Sequence, residues 1–473
     1  MKIRLLVFTV VIALLTLTQA ATASDLIKTL PGPFVDQDFA WTGSGAYVVR
    51  DGRRGRSEVL FVTKDAPVKR ALSYKPRHDG LRVTKFAGSS TLVAANVQFL
   101  EVFDDGSYDT ADSALAAGVP GGSMRVLSKC PPNAMAVGGS TLAAITRCGR
   151  RKEFRATIWS LTGARVVRKA SFTIPLGDHR PQLQDAQIVD LVASVNDHYL
   201  AIDGRGGRGA IVYDWTTGKA IRRVGAGQYV RSVALLGGDA VAIEPFAYAS
   251  QGEIEATISE ILRYDSGSDQ PVHVPLPEAV DFEVARGNRD GGFVFASNYR
   301  DLPHPHRSSE IENEVVDLST LDALAGTYTP LGTIAGLSAM PFSGPASTIG
   351  SIKHTCWDTE IRAKGAFEQP ESPDPACAGG IVGGSVELSG RKLSYRVSFP
   401  DGCPYFAIDL ATSKKGDSFT SRYGAARPHK PVTYSHRVSL RVANKLRTSK
   451  RLFVNYYGSV AATSAKLAVK IAH

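Results

Sequence analysis

The sequence predicts an all-β protein, in which a six-bladed β-propeller is followed by an immunoglobulin-like β-sandwich. Three observations predict this fold. A short apolar strand recurs about every fifty residues between residues 35 and 335, a stretch rich in Gly, Ser, Pro and Ala follows at 334–350, and alternating polarity returns beyond it. The predicted organisation is therefore a leader at residues 1–23, the propeller at 24–345 and the sandwich at 346–473.

The repeated strand is short and apolar, and Gly, Ser or Asp precedes it in most copies. Its six copies are marked by Tyr47, Leu92, Leu142, Tyr199, Ala240 and Phe293. A second strand follows each copy and in most cases ends in an Asp or Gly turn, which is the chemistry of tight turns and not of catalysis. A four-stranded blade buries both faces only when it stacks against neighbours, so six copies predict six blades. Seven blades are the alternative, if residues from Asp25 onward or the stretch near Pro330 supply a further copy.

The N-terminus has the pattern of a secretory signal peptide. Lys2 and Arg4 precede an apolar run at residues 5–17, which is short for a membrane span. Small residues up to Ala23 predict cleavage before Ser24, and an uncleaved N-terminal anchor is the alternative. No later stretch is apolar over the length of a bilayer, so no transmembrane segment is predicted after cleavage. The protein is therefore expected to be secreted, extracellular or associated with the cell envelope.

Cysteine usage fits an oxidising compartment. The five cysteines are Cys130, Cys148, Cys356, Cys377 and Cys403. Cys130 and Cys148 flank neighbouring strands of one repeat, which predicts a disulfide between them. A second disulfide is predicted between Cys377 and Cys403, which leaves Cys356 over. A nucleophilic cysteine is the alternative, but no His or acidic residue at catalytic spacing supports it.

The segment at residues 212–219 ends one predicted blade. Tyr213, Asp214 and Gly218 in this segment resemble the blade-ending strand of WD-repeat-like, TolB-type and quinoprotein-type propellers. The chain lacks sialidase boxes, paired kelch glycines and a regular tryptophan, so the resemblance implies neither sialidase chemistry nor a quinone, and no cofactor is predicted. Residues 385–397 and 450–454 resemble the Ig-like modules that are appended to many exported actinobacterial proteins.

Positive charge is concentrated in the C-terminal part. Residues 351–473 contain 19 Lys and Arg against 9 Asp and Glu, whereas residues 24–350 contain 34 against 36. This asymmetry predicts a surface that contacts an anionic envelope polymer or acidic lipid headgroups. The densest stretch contains Arg437, Arg441, Lys445, Arg447, Lys450 and Arg451. The alternative is that these side chains protect sheet edges from pairing. Nucleic acid is disfavoured, because the run lacks interleaved aromatic residues and the protein is predicted to be exported.

Candidate metal ligands lie in the sixth repeat. His304 and His306 are followed by Glu310, Glu312 and Glu314, and imidazoles with nearby carboxylates can coordinate zinc or another divalent ion. The alternative is that the three glutamates lie on the exposed side of a strand.

Tryptophans are a second candidate group. Trp41, Trp159, Trp215 and Trp357 could stack on sugar rings, but tryptophans in strands are more often packing residues.

The sequence contains no catalytic motif of high specificity. This favours an exported, non-enzymatic binding protein, whose propeller contacts a glycan or protein ligand and whose basic sandwich acts as a spacer or attaches it to the envelope. The alternative is a secreted hydrolase or lyase that acts on a polysaccharide or peptide at the mouth of the propeller channel, because propellers support both roles. Convergence of three or more His, Asp or Glu residues at that mouth would favour the enzyme.

Overall fold

The protein is described here by a computed structural model. It describes residues 25–472 except for the segments 32–33, 43–44, 51–56, 75–79, 103–107, 149–152, 176–190, 205–207, 247–259, 276–285, 288–291, 302–313, 336–337, 340–347, 355–357, 366–376, 415–417 and 459–463. The regular secondary structure of the described residues is almost entirely β-strand, which confirms the predicted all-β class.

Within the described part of the chain, residues 25–365 form seven four-stranded sheets. Strand β1 is Asp25–Pro31, and six antiparallel meanders follow it. Sheet 1 contains β2 (Phe34–Trp41), β3 (Ala46–Arg50), β4 (Glu58–Val62) and β5 (Lys69–Arg70). Sheet 2 contains β6 (Gly80–Gly88), β7 (Val93–Val102), β8 (Tyr108–Gly118) and β9 (Arg125–Ser128). Sheet 3 contains β10 (Pro132–Gly138), β11 (Thr141–Thr146), β12 (Phe154–Thr162) and β13 (Arg165–Ile174).

The next three meanders continue the same pattern. Sheet 4 contains β14 (Ala193–Val195), β15 (Tyr199–Asp203), β16 (Ala210–Asp214) and β17 (Lys219–Val224). Sheet 5 contains β18 (Tyr229–Gly237), β19 (Ala240–Phe246), β20 (Glu260–Tyr264) and β21 (Val272–Pro275). Sheet 6 contains β22 (Arg286–Gly287), β23 (Gly292–Asp301), β24 (Glu314–Asp322) and β25 (Thr327–Ala335).

Sheet 7 joins the two ends of this region. It contains β26 (Ser338–Ala339), β27 (Thr348–His354) and β28 (Asp358–Gly365), and β1 pairs antiparallel with β28 as the fourth strand. Strands β27 and β28 lie beyond residue 345, where the sequence analysis places the end of the propeller, and they belong to this four-stranded sheet with β1. The repeat analysis found six copies and left a further copy from Asp25 onward as the alternative; β1 begins at Asp25, and the other three strands of this sheet come from the opposite end of the region.

The apolar core of the seven sheets is divided among the interfaces between them. One buried cluster joins sheets 7 and 1, and further clusters join sheets 1 and 2, 2 and 3, 3 and 4, and 4 and 5. The first strands of sheets 1 to 6 contact one another in order, and β26 contacts β2. Each of these sheets thus covers the apolar face of the next, which is the radial packing of a β-propeller.

The described C-terminal residues form one sheet of eight strands with an α-helix. The strands are β29 (Gly380–Ile381), β30 (Ser385–Ser389), β31 (Lys392–Ser398), β32 (Cys403–Ala411), β33 (Ser418–Ala426), β34 (Val432–Arg437), β35 (Arg451–Gly458) and β36 (Ser464–Ala472). A short 3-10 helix, Val382–Gly384, lies between β29 and β30. The pair β30–β36 is parallel and the other pairs are antiparallel.

Helix α1, Leu440–Ser449, lies in the C-terminal part, where the alternating polarity of the sequence predicts strands. The Ser439 side chain accepts a hydrogen bond from the Val442 amide (3.2 Å) and caps the N-terminus. Ala443 and Leu446, three positions apart, are buried against the sheet, so one helix face contributes to the core of this domain. Lys450 ends the helix in the left-handed conformation (φ 53°). The local cap and the helical spacing of apolar residues therefore outweigh the alternating polarity that suggested a strand.

Candidate functional site

The connections between strands give the propeller two unlike faces. In a four-stranded meander, the connections between the first and second strands and between the third and fourth leave from one edge, and the remaining connections leave from the other. The first group is mostly short, for example residues 139–140, 163–164 and 238–239, although 340–347 is longer. The second group includes 175–192, 247–259 and 302–313. We call the two faces the turn face and the long-connection face.

The turn face is held together by hydrogen bonds between neighbouring sheets. These bonds are Ser89 Oγ to Gly139 O (2.6 Å), Thr141 Oγ1 to Asp197 Oδ1 (3.4 Å), Asn196 Nδ2 to Gly238 O (2.9 Å) and Arg263 Nη1 to Leu324 O (2.8 Å). They join sheets 2 to 3, 3 to 4, 4 to 5 and 5 to 6. Side chains of this face therefore connect neighbouring sheets.

The Asp and Gly turns of the repeat also lie on the turn face. Asp214 Oδ1 accepts hydrogen bonds from the Thr216 amide (2.9 Å) and hydroxyl (2.7 Å). The Thr216 hydroxyl lowers the pKa of this carboxyl below its ordinary value. Asp322 Oδ1 likewise accepts from the Leu324 amide (2.9 Å). These aspartates cap turns, as the sequence analysis predicted.

Two buried carboxylates lie toward the long-connection face. Asp203 ends β15 and Glu244 lies on β19, which are the second strands of the adjacent sheets 4 and 5. Their relative exposures are only 8% and 1%. The sequence analysis did not select either residue as a site, although an acidic residue directly after the apolar run 241–243 was a signal. Carboxylates at this position could accept hydrogen bonds from a hydroxylated or cationic ligand.

A disulfide joins two connections of the long-connection face, as predicted. Cys130 lies between β9 and β10, Cys148 lies after β11, and their Cα atoms are 5.8 Å apart. Cys377 and Cys403 are both buried in the C-terminal core, and their pairing stays a prediction. Cys356 lies outside the described residues.

The predicted metal ligands His304 and His306 lie outside the described residues, in the connection between β23 and β24. Among the residues that the structure describes, no group of three or more His, Cys, Asp or Glu side chains could hold a metal ion.

The tryptophans mainly pack between sheets. Trp41 and Trp159 are 1% and 6% exposed and belong to the cores between sheets 7 and 1 and between sheets 2 and 3. The indole nitrogen of Trp215 donates to Asn196 O (3.0 Å) on the turn face. Trp357 lies outside the described residues. The packing interpretation therefore holds for Trp41 and Trp159.

The predicted basic residues lie on three consecutive elements of the C-terminal domain. Arg437 ends β34, Arg441, Lys445 and Arg447 lie on α1, Lys450 follows the helix, and Arg451 begins β35. Arg447 is half-buried and the other five are exposed. Three of the six therefore lie on a helix and not on strand edges.

Two further basic residues join this group from a distant part of the chain. Arg391 Nε donates to Val438 O (3.0 Å), and Lys392 lies directly opposite Arg437 in the β31–β34 pair. Arg447 Nη2 donates to Gly390 O (2.5 Å), which ties the helix to the same β30–β31 turn. We call Arg391, Lys392, Arg437, Arg441, Lys445 and Arg447 the basic corner. The sequence analysis missed Arg391 and Lys392 because strand pairing, not sequence proximity, brings them there.

A polar seam links β33 to β34 in the same domain. His436 Nε2 lies 3.0 Å from the Tyr395 hydroxyl, and His436 Nδ1 lies 3.2 Å from Thr420 Oγ1. Burial, and then the charge of Arg422, lower the pKa of His436 below its ordinary value. Burial also raises the pKa of Tyr395. The His436 imidazole therefore connects β34 to both β31 and β33.

Among the described residues, no helix is long and apolar enough to cross a membrane.

The strand pairing and the cores between sheets define a β-propeller protein with a basic C-terminal β-domain. No protein-family model and no curated protein sequence matches the chain. Similar solved structures include U3-55K, with 10% sequence identity and a TM-score of 0.39 over 73% of this chain and 99% of that chain. The β-propeller domain of the Trilobed protease from Pyrococcus furiosus has 10% identity and a TM-score of 0.35, over 67% and 89% of the two chains. A prolyl endopeptidase has 14% identity and a TM-score of 0.37, over 80% of this chain and 54% of its own. These similarities assign no activity, substrate or partner to the chain.

Proposed function

We propose that this protein is an exported, non-enzymatic binding protein whose propeller recognises a protein or glycan through its long-connection face. The observation that carries the proposal is the difference between the two faces. Side chains of the turn face are used to join neighbouring sheets, whereas the strand ends that the longer connections join lie on the opposite face. Rigid scaffolds commonly carry their binding residues on such connections.

Export is supported by the leader and by the disulfide. Cleavage before Ser24 would leave β1 intact, and β1 is needed because it supplies the fourth strand of sheet 7. The Cys130–Cys148 disulfide fits an oxidising compartment. Secretion or association with the cell envelope follows from this proposal.

We further propose that the C-terminal domain is an immunoglobulin-like sandwich that attaches the protein to an anionic envelope surface. The strand pairing supports this fold. Strands β30, β31 and β34 are neighbours, as strands A, B and E are in an immunoglobulin domain. Strands β32, β35 and β36 are also neighbours, as strands C, F and G are in the other sheet of that domain. Edge protection explains the basic residues less well, since Arg441 and Lys445 are exposed on a helix.

A secreted hydrolase or lyase acting on a polysaccharide or peptide is the second candidate. The burial of Asp203 and Glu244 on adjacent sheets favours it, because acid–base chemistry commonly uses carboxylates in sheltered positions. Turnover of a polysaccharide or peptide substrate that Asp203→Asn or Glu244→Gln abolishes, without loss of folding, would replace the binding proposal.

The binding proposal is tested with the full mature chain. Envelope proteins and glycans are screened for binding, and the screen is repeated after residues 247–259 are replaced by a short Gly-Ser linker. The matched control is Leu324→Lys, which changes an exposed residue (50%) on the turn face. Binding should fall in the linker variant and persist in the control. Loss of binding in the control alone would place the ligand on the turn face and contradict the proposal.

A further inference from the structure

We propose that the basic corner binds a linear, phosphate-bearing polyanion. This inference rests on the proposed role of the C-terminal domain in attachment and names the chemistry of its partner. It does not depend on what the propeller binds.

The charges of the basic corner repel one another. Lys392 and Arg437 are both exposed and directly opposite on paired strands, where like charges are destabilising. Arg441 and Lys445 are four residues apart on α1, so they are neighbours on the helix surface, where like charges are also destabilising. An anionic ligand would relieve both repulsions.

The protein supplies little negative charge to offset this group. Residues 418–473 contain 11 Lys and Arg and no Asp or Glu. Among the described residues, none of the ion pairs involves a member of the basic corner. Within the described part of the chain, no carboxylate therefore forms an ion pair with the corner, which leaves its charges available to an anion from solution or a partner.

The side chains of the corner are suited to phosphate. Four of the six are arginines, whose planar guanidinium groups bind phosphate oxygens in pairs. Arg391 and Arg447 are oriented by the carbonyl oxygens of Val438 and Gly390. Their preset orientation reduces the conformational entropy that binding would otherwise cost.

The distribution of the groups favours a polymer over a membrane surface. The corner extends over a hairpin turn, a strand end and a helix, so its charges do not converge on one small ion. A membrane-binding helix exposes an apolar face. In α1, Ala443 and Leu446 are buried in the domain core, and Leu440 (57% exposed) is its exposed large apolar side chain. The apolar surface that α1 exposes is therefore small for insertion between lipids.

The test measures binding of inorganic polyphosphate to the full mature chain over a range of NaCl concentrations. The test variant combines Arg437→Gln, Arg441→Gln and Lys445→Gln. The matched control combines Arg165→Gln, Arg168→Gln and Lys169→Gln, which removes the same charge from exposed positions on β13. We expect salt-sensitive binding that weakens about tenfold or more in the test variant and less than about twofold in the control. Both variants are first checked for an unfolding temperature no lower than that of the wild type, since removal of like charges from the corner can raise it.

Three outcomes would overturn the inference. These are no binding of polyphosphate, equal weakening in the two variants, or corner-dependent binding to phosphatidylglycerol vesicles that is tighter than binding to polyphosphate. Retention on envelope fractions is measured in parallel. If the fractions retain the protein through the corner while polyphosphate does not bind, attachment stands and the polyphosphate chemistry is wrong. If the fractions fail to retain it, the attachment role itself fails.

Discussion

Asn196 in sheet 4 donates a hydrogen bond from Nδ2 to the carbonyl oxygen of Gly238 in sheet 5 (2.9 Å). The same side chain accepts bonds through Oδ1 from the amides of His198 (3.0 Å) and Tyr199 (2.7 Å). One residue therefore shapes its own turn and joins two sheets.

This double role predicts a graded response to substitution. Asn196→Ala removes all three bonds and should lower the free energy of unfolding by about 2 kcal/mol. Asn196→Asp keeps the acceptor for the turn and removes the donor to Gly238, so its loss should be smaller, about 1 kcal/mol. Urea denaturation of the full chain measures both values. No loss in Asn196→Asp would mean that the link between sheets contributes nothing, and equal losses in the two variants would mean the same of the bonds within the turn.

The repeat could be predicted from sequence because each copy is local. All six marker residues lie on or directly before the second strand of sheets 1 to 6, for example Tyr47 in β3 and Phe293 in β23. Sheet 7 could not be predicted in this way, since the pairing of β1 with β28 joins distant parts of the chain. The basic corner shows the same limit, because the pairing of Lys392 with Arg437 is visible only in the strand register.

The pairing of β1 with β28 predicts that the N-terminal strand is essential to stability. Leu30 (6% exposed) packs in the cluster that contains Trp41 and Ile361. Leu30→Ala should therefore cost about 2–4 kcal/mol of unfolding free energy, as truncation of a buried leucine does. Leu26→Ala on the same strand is the control, because Leu26 is 43% exposed and its truncation should change the free energy by less than about 0.5 kcal/mol. Thermal unfolding compares the stabilities of the two variants. Similar losses of stability would indicate that β1 is not anchored at Leu30.

The Cys130–Cys148 disulfide predicts a stability that depends on redox conditions. The two cysteines are 18 residues apart, and closing a loop of this length stabilises the folded state by about 3 kcal/mol in the chain-entropy model. The double variant Cys130→Ser, Cys148→Ser should unfold at lower urea concentration than the oxidised wild type. Wild type that has been treated with a reductant should behave like the double variant. An oxidised wild type no more stable than the double variant would contradict this expectation.

His436 bridges two strands of the C-terminal domain, since its ring nitrogens contact the hydroxyls of Tyr395 and Thr420. A protonated imidazole has two donors, so it would lose its role as acceptor at one of these contacts. It would also be a half-buried charge near the Arg422 guanidinium.

The lowered pKa of His436 predicts a loss of stability in mild acid. The unfolded chain binds the proton near the ordinary value of 6.5 and the folded domain binds it only at lower pH. The contribution of His436 is therefore complete above pH 6.5 and decreases as the pH falls from there through the lowered folded pKa. His436→Gln should flatten this part of the pH profile in denaturant unfolding followed at the C-terminal domain, whereas His429→Gln at an exposed position should keep it. A profile of His436→Gln as steep as that of the wild type would show that another group causes the acid sensitivity.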